Sequence, residues 1–197
     1  MTGRTRWFAA LAGLALAVGI AVGGVAAASG DKRPRTEAVT GTFQASPANA
    51  KTRTCQGQDG AYLQIRGKWQ GPITSSDPRF TGTLTFTARA LVNTTTGLGT
   101  FNGVFRVRQA NGKTGARGQF ATVVTEGSLN HGFAIGKVAR GPGPGEGAGI
   151  FHTNFESRVD QALNVTGTFG GTGQPRDPAV IQSGSCVGHD NDDDDDD

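Results

Sequence analysis

The sequence predicts an all-β protein: a single antiparallel barrel of eight or nine strands, closed or flattened. Three observations carry that prediction. Helical spacing of apolar residues is nearly missing, whereas period-two alternation recurs along the chain. Gly supplies 32 of the 197 residues and Phe 11, the mixture expected of sharply coiled strands that carry large rings. Turn signals then divide the chain: Ser76-Asp77-Pro78, residues 93–97, Asn111-Gly112, Gly127-Ser128 and the glycine-proline stretch 141–149. Strands without helices must hide their edges, so the sheet closes into a barrel or folds into a β-sandwich or jelly roll, the alternative architecture.

In chain order the predicted strands are 37–45, 61–71, 80–92, 99–109, 114–126, 129–140, 149–159, 163–171 and 180–187. Asn111-Gly112 is the dipeptide preferred by a two-residue type I′ turn, because both positions need positive φ. That turn sets Phe105 opposite Gly118, Gly103 opposite Phe120 and Phe101 opposite Thr122. A ring over a cross-strand glycine recovers buried area that the missing side chain would lose. Taking Gly127-Ser128 as the next two-residue turn sets Phe120 opposite Ile135, Thr122 opposite Phe133 and Val124 opposite His131. One face would then be apolar across three strands, and a one-residue slip would turn it to solvent. Elsewhere Leu63, Ile65 and Trp69 share a parity, as do Leu84 and Phe86, Phe151 and Phe155, and Val165 and Phe169. Gln64, Arg66, Lys68 and the threonines between 81 and 87 hold the opposite one. One dry and one wet face require an antiparallel sheet.

Four segments follow. Residues 1–28 read as a secretory signal peptide, with Arg4 and Arg6 before an apolar run and Ala26-Ala27-Ala28 as cleavage positions. Residues 29–36 form a short polar leader predicted to be disordered, 37–188 the barrel, and 189–197 an acidic tail, HDNDDDDDD, predicted to be disordered by like-charge repulsion. The expected location is therefore secreted, extracellular or in the cell envelope. Export lets Cys55 and Cys186 oxidise to a disulfide tying the first strands to the last.

The formal net charge of +3 conceals an asymmetry. Without the signal and the tail the chain carries 17 Lys and Arg against nine acidic residues, and the tail adds seven Asp. A basic body suggests polyanions, but the cations look scattered, the tail competes with any polyanion, and export argues against nucleic acid. No membrane attachment is expected after signal cleavage.

The stretches TCQGQDGAYLQIRGKWQG, SSDPRFTGTLTFTARALVNTTTGLGTFNG, LNHGFAIGKVARG and VTGTFGG, within residues 50–187, resemble a group of uncharacterised secreted bacterial proteins. In style they are also similar to calycin-like barrels of the allene-oxide-cyclase type. The resemblance implies a barrel; its motifs are structural, and it supplies no catalytic residue.

Chemistry is sparse. Gly112-Lys113-Thr114 imitates the end of a phosphate-binding loop, but position 107 is Val where the motif needs Gly. His131 and Glu126 are expected inside, near a barrel mouth, where they could grip a polar ligand head or act as an acid–base pair. Phe101, Phe105, Phe120 and Phe133 would line the cavity around them. His152, Asn154 and Glu156 should face solvent. Asn93 and Asn164 open N-x-Thr glycosylation patterns. No cofactor or resident metal is expected, though the Asp tail can hold cations weakly. The function expected is a non-catalytic binding or structural module, with a small apolar or amphipathic ligand as its candidate partner. The alternative is an isomerase- or cyclase-like enzyme with a minimal polar site.

Overall fold

The computed structural model describes residues 37–141, 147–170 and 186; the predicted signal peptide, leader and acidic tail lie outside them. Eight strands run in sequence order around a closed antiparallel barrel. They are β1 (Gly41–Gln56), β2 (Ala61–Ser75), β3 (Gly82–Asn93), β4 (Gly99–Arg108), β5 (Thr114–Thr125), β6 (Leu129–Val138), β7 (Gly149–Val159) and β8 (Val165–Phe169). β1 closes the ring on β8, with Gly41 opposite Phe169 and Ala45 opposite Val165. The sandwich alternative is thereby excluded. Of the predicted ninth strand, only Cys186 lies among the described residues.

β1 runs well past the predicted end at Ala45. Pro47, which has no N–H to give the ladder, is accommodated at a bulge between Pro47 and Asn49, and pairing with β2 resumes to Gln56. Cys55, near that end, is bonded to Cys186, with Cα atoms 5.6 Å apart.

The β4–β5 register is as predicted: Phe105 faces Gly118, Gly103 faces Phe120 and Phe101 faces Thr122. The turn itself differs. The Gly112 N–H donates to Gln109 O and the Gln109 N–H to Lys113 O, so the loop holds three residues, with Gly112 at φ +78°. The ladder then shifts by one where Arg108 meets Thr114, and this bulge restores the predicted pairing.

The next hairpin corrects the prediction. Glu126 and Gly127 take φ of 52° and 71°, and the Ser128 N–H donates to Thr125 O, so the tight turn is Glu126-Gly127. Thr125 pairs with Leu129, Phe120 with Ala134 and Thr122 with Gly132, one residue away from expectation. That slip reverses the faces of β6. Asn130, Ala134 and Val138 are buried, while His131 and Phe133 turn outward. The packing reason is ring size. Gly132 and Gly136 sit opposite Phe155 and Phe151 of β7, and a Cβ on Gly136 would lie 2.8 Å from the Phe151 ring. The small residues of β6 must face inward because the rings of its neighbours occupy the interior.

Nine phenylalanines and Trp69 make that interior. Trp69, 1 % exposed, stacks on Phe86 at 5.2 Å and meets Phe101 edge-on, and its Nε1–H donates to the Leu163 carbonyl at 2.8 Å. A short 3-10 turn, Pro78–Phe80, brings Phe80 against Phe151 and Phe169. Asp77 caps this turn through the Arg79 N–H and holds the Arg79 guanidinium with both carboxylate oxygens. Burial alone would raise the Asp77 pKa, but the Arg79 hydrogen bonds and charge outweigh it and hold the carboxyl below its ordinary value.

Candidate functional site

Inside the barrel remains a cavity of about 80 Å³, lined by rings from Phe43, Phe101, Phe105, Phe120, Phe151 and Phe155 among others. Three of the predicted lining residues, Phe101, Phe105 and Phe120, are among them. A drug-sized ligand needs a pocket of about 300 Å³ or more, so the interior is mostly filled by its own side chains. Its polar contributions come from Thr153 and Ser157 of β7. Ser157 is 3 % exposed, and its Oγ has no hydrogen-bond partner. We expect Ser157→Ala to stabilise the fold by about 1 kcal/mol, since a buried hydroxyl without a partner costs that order. Urea denaturation reads the change. A loss of stability instead would mean that a water or a polar guest uses the hydroxyl.

The remaining predicted residues are not in the cavity. Phe133 is 53 % exposed on the outside of β6. His131 also faces outward, opposite Glu156 on β7, with Nδ1 to Oε2 at 3.5 Å. Glu126 occupies the β5–β6 turn, where its exposed carboxylate lies 3.9 Å from Arg158. His131 and Glu126, expected inside the cavity as an acid–base pair, therefore lie outside it, on the outer face and in the turn. The physical cause is the one-residue register slip, which began with a non-glycine residue accepting positive φ. The inward Gly-Ala-Gly spacing at 132, 134 and 136, set against Phe120, Phe151 and Phe155, was the sequence signal for the true register.

His152 and Glu156 are exposed. Asn93 is buried; its side chain donates to Asp59 O and accepts from the Thr95 and Thr96 N–H groups. It is a turn cap, unavailable to a sugar. Among the described residues, no group of three or more potential metal ligands occurs and no helix is long and apolar enough to cross a membrane.

The outer surface carries a second feature. Arg66 faces Lys51 on one side and Arg89 on the other. Two strands on, Arg106 faces Arg117, which faces Lys137. All six are exposed. Pairing thus gathers cations that look scattered in the sequence, and like charges directly opposite on a sheet repel. A groove of about 1180 Å³ on this face is lined by Lys68, Arg106, Arg108, Arg117 and Lys137, together with threonine and glutamine side chains and the apolar Val104, Ile135 and Ile150, and by no carboxylate. The ion pairs formed by described acidic residues go elsewhere, to Arg79, His131 and Arg158.

Fold and surface together define a class: an up-and-down eight-stranded barrel with an aromatic interior and an exterior that sets rows of exposed cations beside a few exposed apolar side chains, Val104, Phe133 and Ile150. Comparison with protein-family models, with curated proteins and with solved structures finds no match.

Proposed function

We propose that this protein is an exported, non-catalytic binding module whose outer face across β2–β6 takes a linear polyanion bearing phosphate or sulfate groups. The observation that carries the reading is the acid-free groove lined by Lys68, Arg106, Arg108, Arg117 and Lys137. Its cations supply the electrostatic attraction, and the interleaved Thr83, Thr85, Thr87 and Gln119 supply hydrogen-bond donors for phosphate or sulfate oxygens. The signal-peptide-like segment 1–28 and the disulfide support export.

The test is binding of inorganic polyphosphate at several salt concentrations to the wild type and to Arg106→Gln/Arg117→Gln. These exposed positions leave the core untouched. Affinity should fall roughly tenfold or more at low salt, and the slope of log affinity against log salt should shrink by about 1.4, near 0.7 for each lost contact. Unchanged affinity and slope would remove the face from any binding role.

A second reading, a small apolar guest, is favoured by one observation: the orphaned Ser157 hydroxyl at the wall of the interior cavity. A cavity of about 150 Å³ accommodates benzene, so a guest here would be smaller. The enzyme alternative would have the hydroxyls of Thr153 and Ser157 as its polar groups in that cavity.

A further inference from the structure

We infer that the aspartate-rich C-terminal tail docks in cis on the cationic outer face and competes there with external polyanions. The competition rests on the polyanion reading of that face; the docking stands on its own observations.

The first observation is where the tail is rooted. Past the bulge in β1, Lys51 pairs with Arg66, Arg53 with Gln64 and Cys55 with Tyr62. Lys51, Arg53 and Cys55 thus share the outward face of the strand. The disulfide fixes Cys186 on that face. The first tail aspartate, Asp190, follows four residues later, and Asp192 to Asp197 complete the run.

The second is reach. An extended chain covers about 3.4 Å per residue, so Asp190 reaches roughly 14 Å from Cys186 and Asp197 roughly 37 Å. Arg53 and Lys51 lie about 7 and 13 Å along β1 from Cys55, and Arg66 and Arg89 lie one and two strand spacings of about 4.8 Å across. All four fall within the span of the aspartates.

The third is charge. The tail carries seven aspartates and the face carries Lys51, Arg53, Arg66, Lys68 and Arg89, none of them paired with a described carboxylate. Bringing the acids to the face relieves the Lys51–Arg66–Arg89 repulsion. The fourth is a buried donor: Gln64, beside Arg53 on the outward parity, is 5 % exposed, and its Nε2 has no hydrogen-bond partner among the described residues.

A tether converts weak contacts into an intramolecular event at an effective concentration in the millimolar range. The tail then acts as a built-in competitor that an external polyanion must displace. High salt weakens the docking by screening.

The experiment compares the oxidised full chain with a chain ending at His189, first by amide NMR without any polyanion. Removing the tail should shift the amide signals of Lys51, Arg53, Arg66 and Arg89 and leave Asp160, in the β7–β8 connection, in place. The difference should vanish near about 0.5 M salt. Identical low-salt spectra for the face overturn the docking. Shifts that grow with protein concentration, accompanied by a dimer in sedimentation, place the tail on a second copy and also overturn it. Polyphosphate is then added to both chains. Roughly tenfold tighter binding by the shortened chain at low salt supports competition, and equal affinity overturns it. Should neither chain bind polyphosphate, the polyanion reading and the competition fall, while the amide shifts still decide the docking.

Discussion

Replacing Trp69 with Ala is expected to lower stability by about 4 kcal/mol, within the range for removing a buried aromatic residue. Three losses act together at that site. The indole leaves a void between Phe86 and Phe101, which it stacks on and meets edge-on. The Leu163 carbonyl loses its 2.8 Å donor. The tie between β2 and the β7–β8 connection goes with that hydrogen bond. Trp69→Phe separates these effects, because it keeps most of the volume and loses the donor. It should recover more than half of the stability in chemical denaturation. Equal losses in the two variants would mean that the hydrogen bond, and not the packing, dominates.

Removing the Cys55–Cys186 bond by Cys55→Ser/Cys186→Ser should be similarly costly. The two cysteines are separated by 131 positions, and closing so long a loop in the unfolded chain is worth about 4–5 kcal/mol in the chain-entropy model. For a domain of this size, that corresponds to a fall in Tm of roughly 10–15 °C. Calorimetry of the double variant, beside wild type with and without reductant, reads the effect. The reduced wild type should match the variant. A variant as stable as the oxidised wild type would show that the strand ladder alone sets stability.

Much of the architecture was legible because glycines and rings come in matched positions. Phe105 opposite Gly118 and Phe120 opposite Gly103 fix the β4–β5 register through packing; the turn reached it by a different route, a longer loop offset by a bulge. β7 begins and ends where alternation begins and ends, at Gly149 and Val159. The β5–β6 register was not legible from its turn. Glycine at 127 fits either of two turn frames, and the chain chose the one that forces Glu126 to positive φ because the rings of β5 and β7 leave room only for small residues of β6. The same slip carried His131 and Phe133 out of the predicted site. The extension of β1 was hidden by Pro47, a strand breaker that a bulge makes harmless. The cationic rows were hidden for another reason. Arg66 and Arg89, or Arg117 and Lys137, are about twenty positions apart in the chain and become neighbours only once the register of each ladder is known.

The ring is unequal around its circumference. β8 has five residues, and its two short ladders carry the strand pairing between β7 and β1. A spontaneous breach therefore begins at this narrow seam, baring the hydrogen-bonding margins of β1 and β7 to any neighbouring chain. The covalent link from Cys55 to Cys186 bypasses the seam, holding the chain beyond β8 against the far end of β1. It works as a tether: after a breach β8 stays joined to β1 through the bond, so the two margins remain parts of one closed loop.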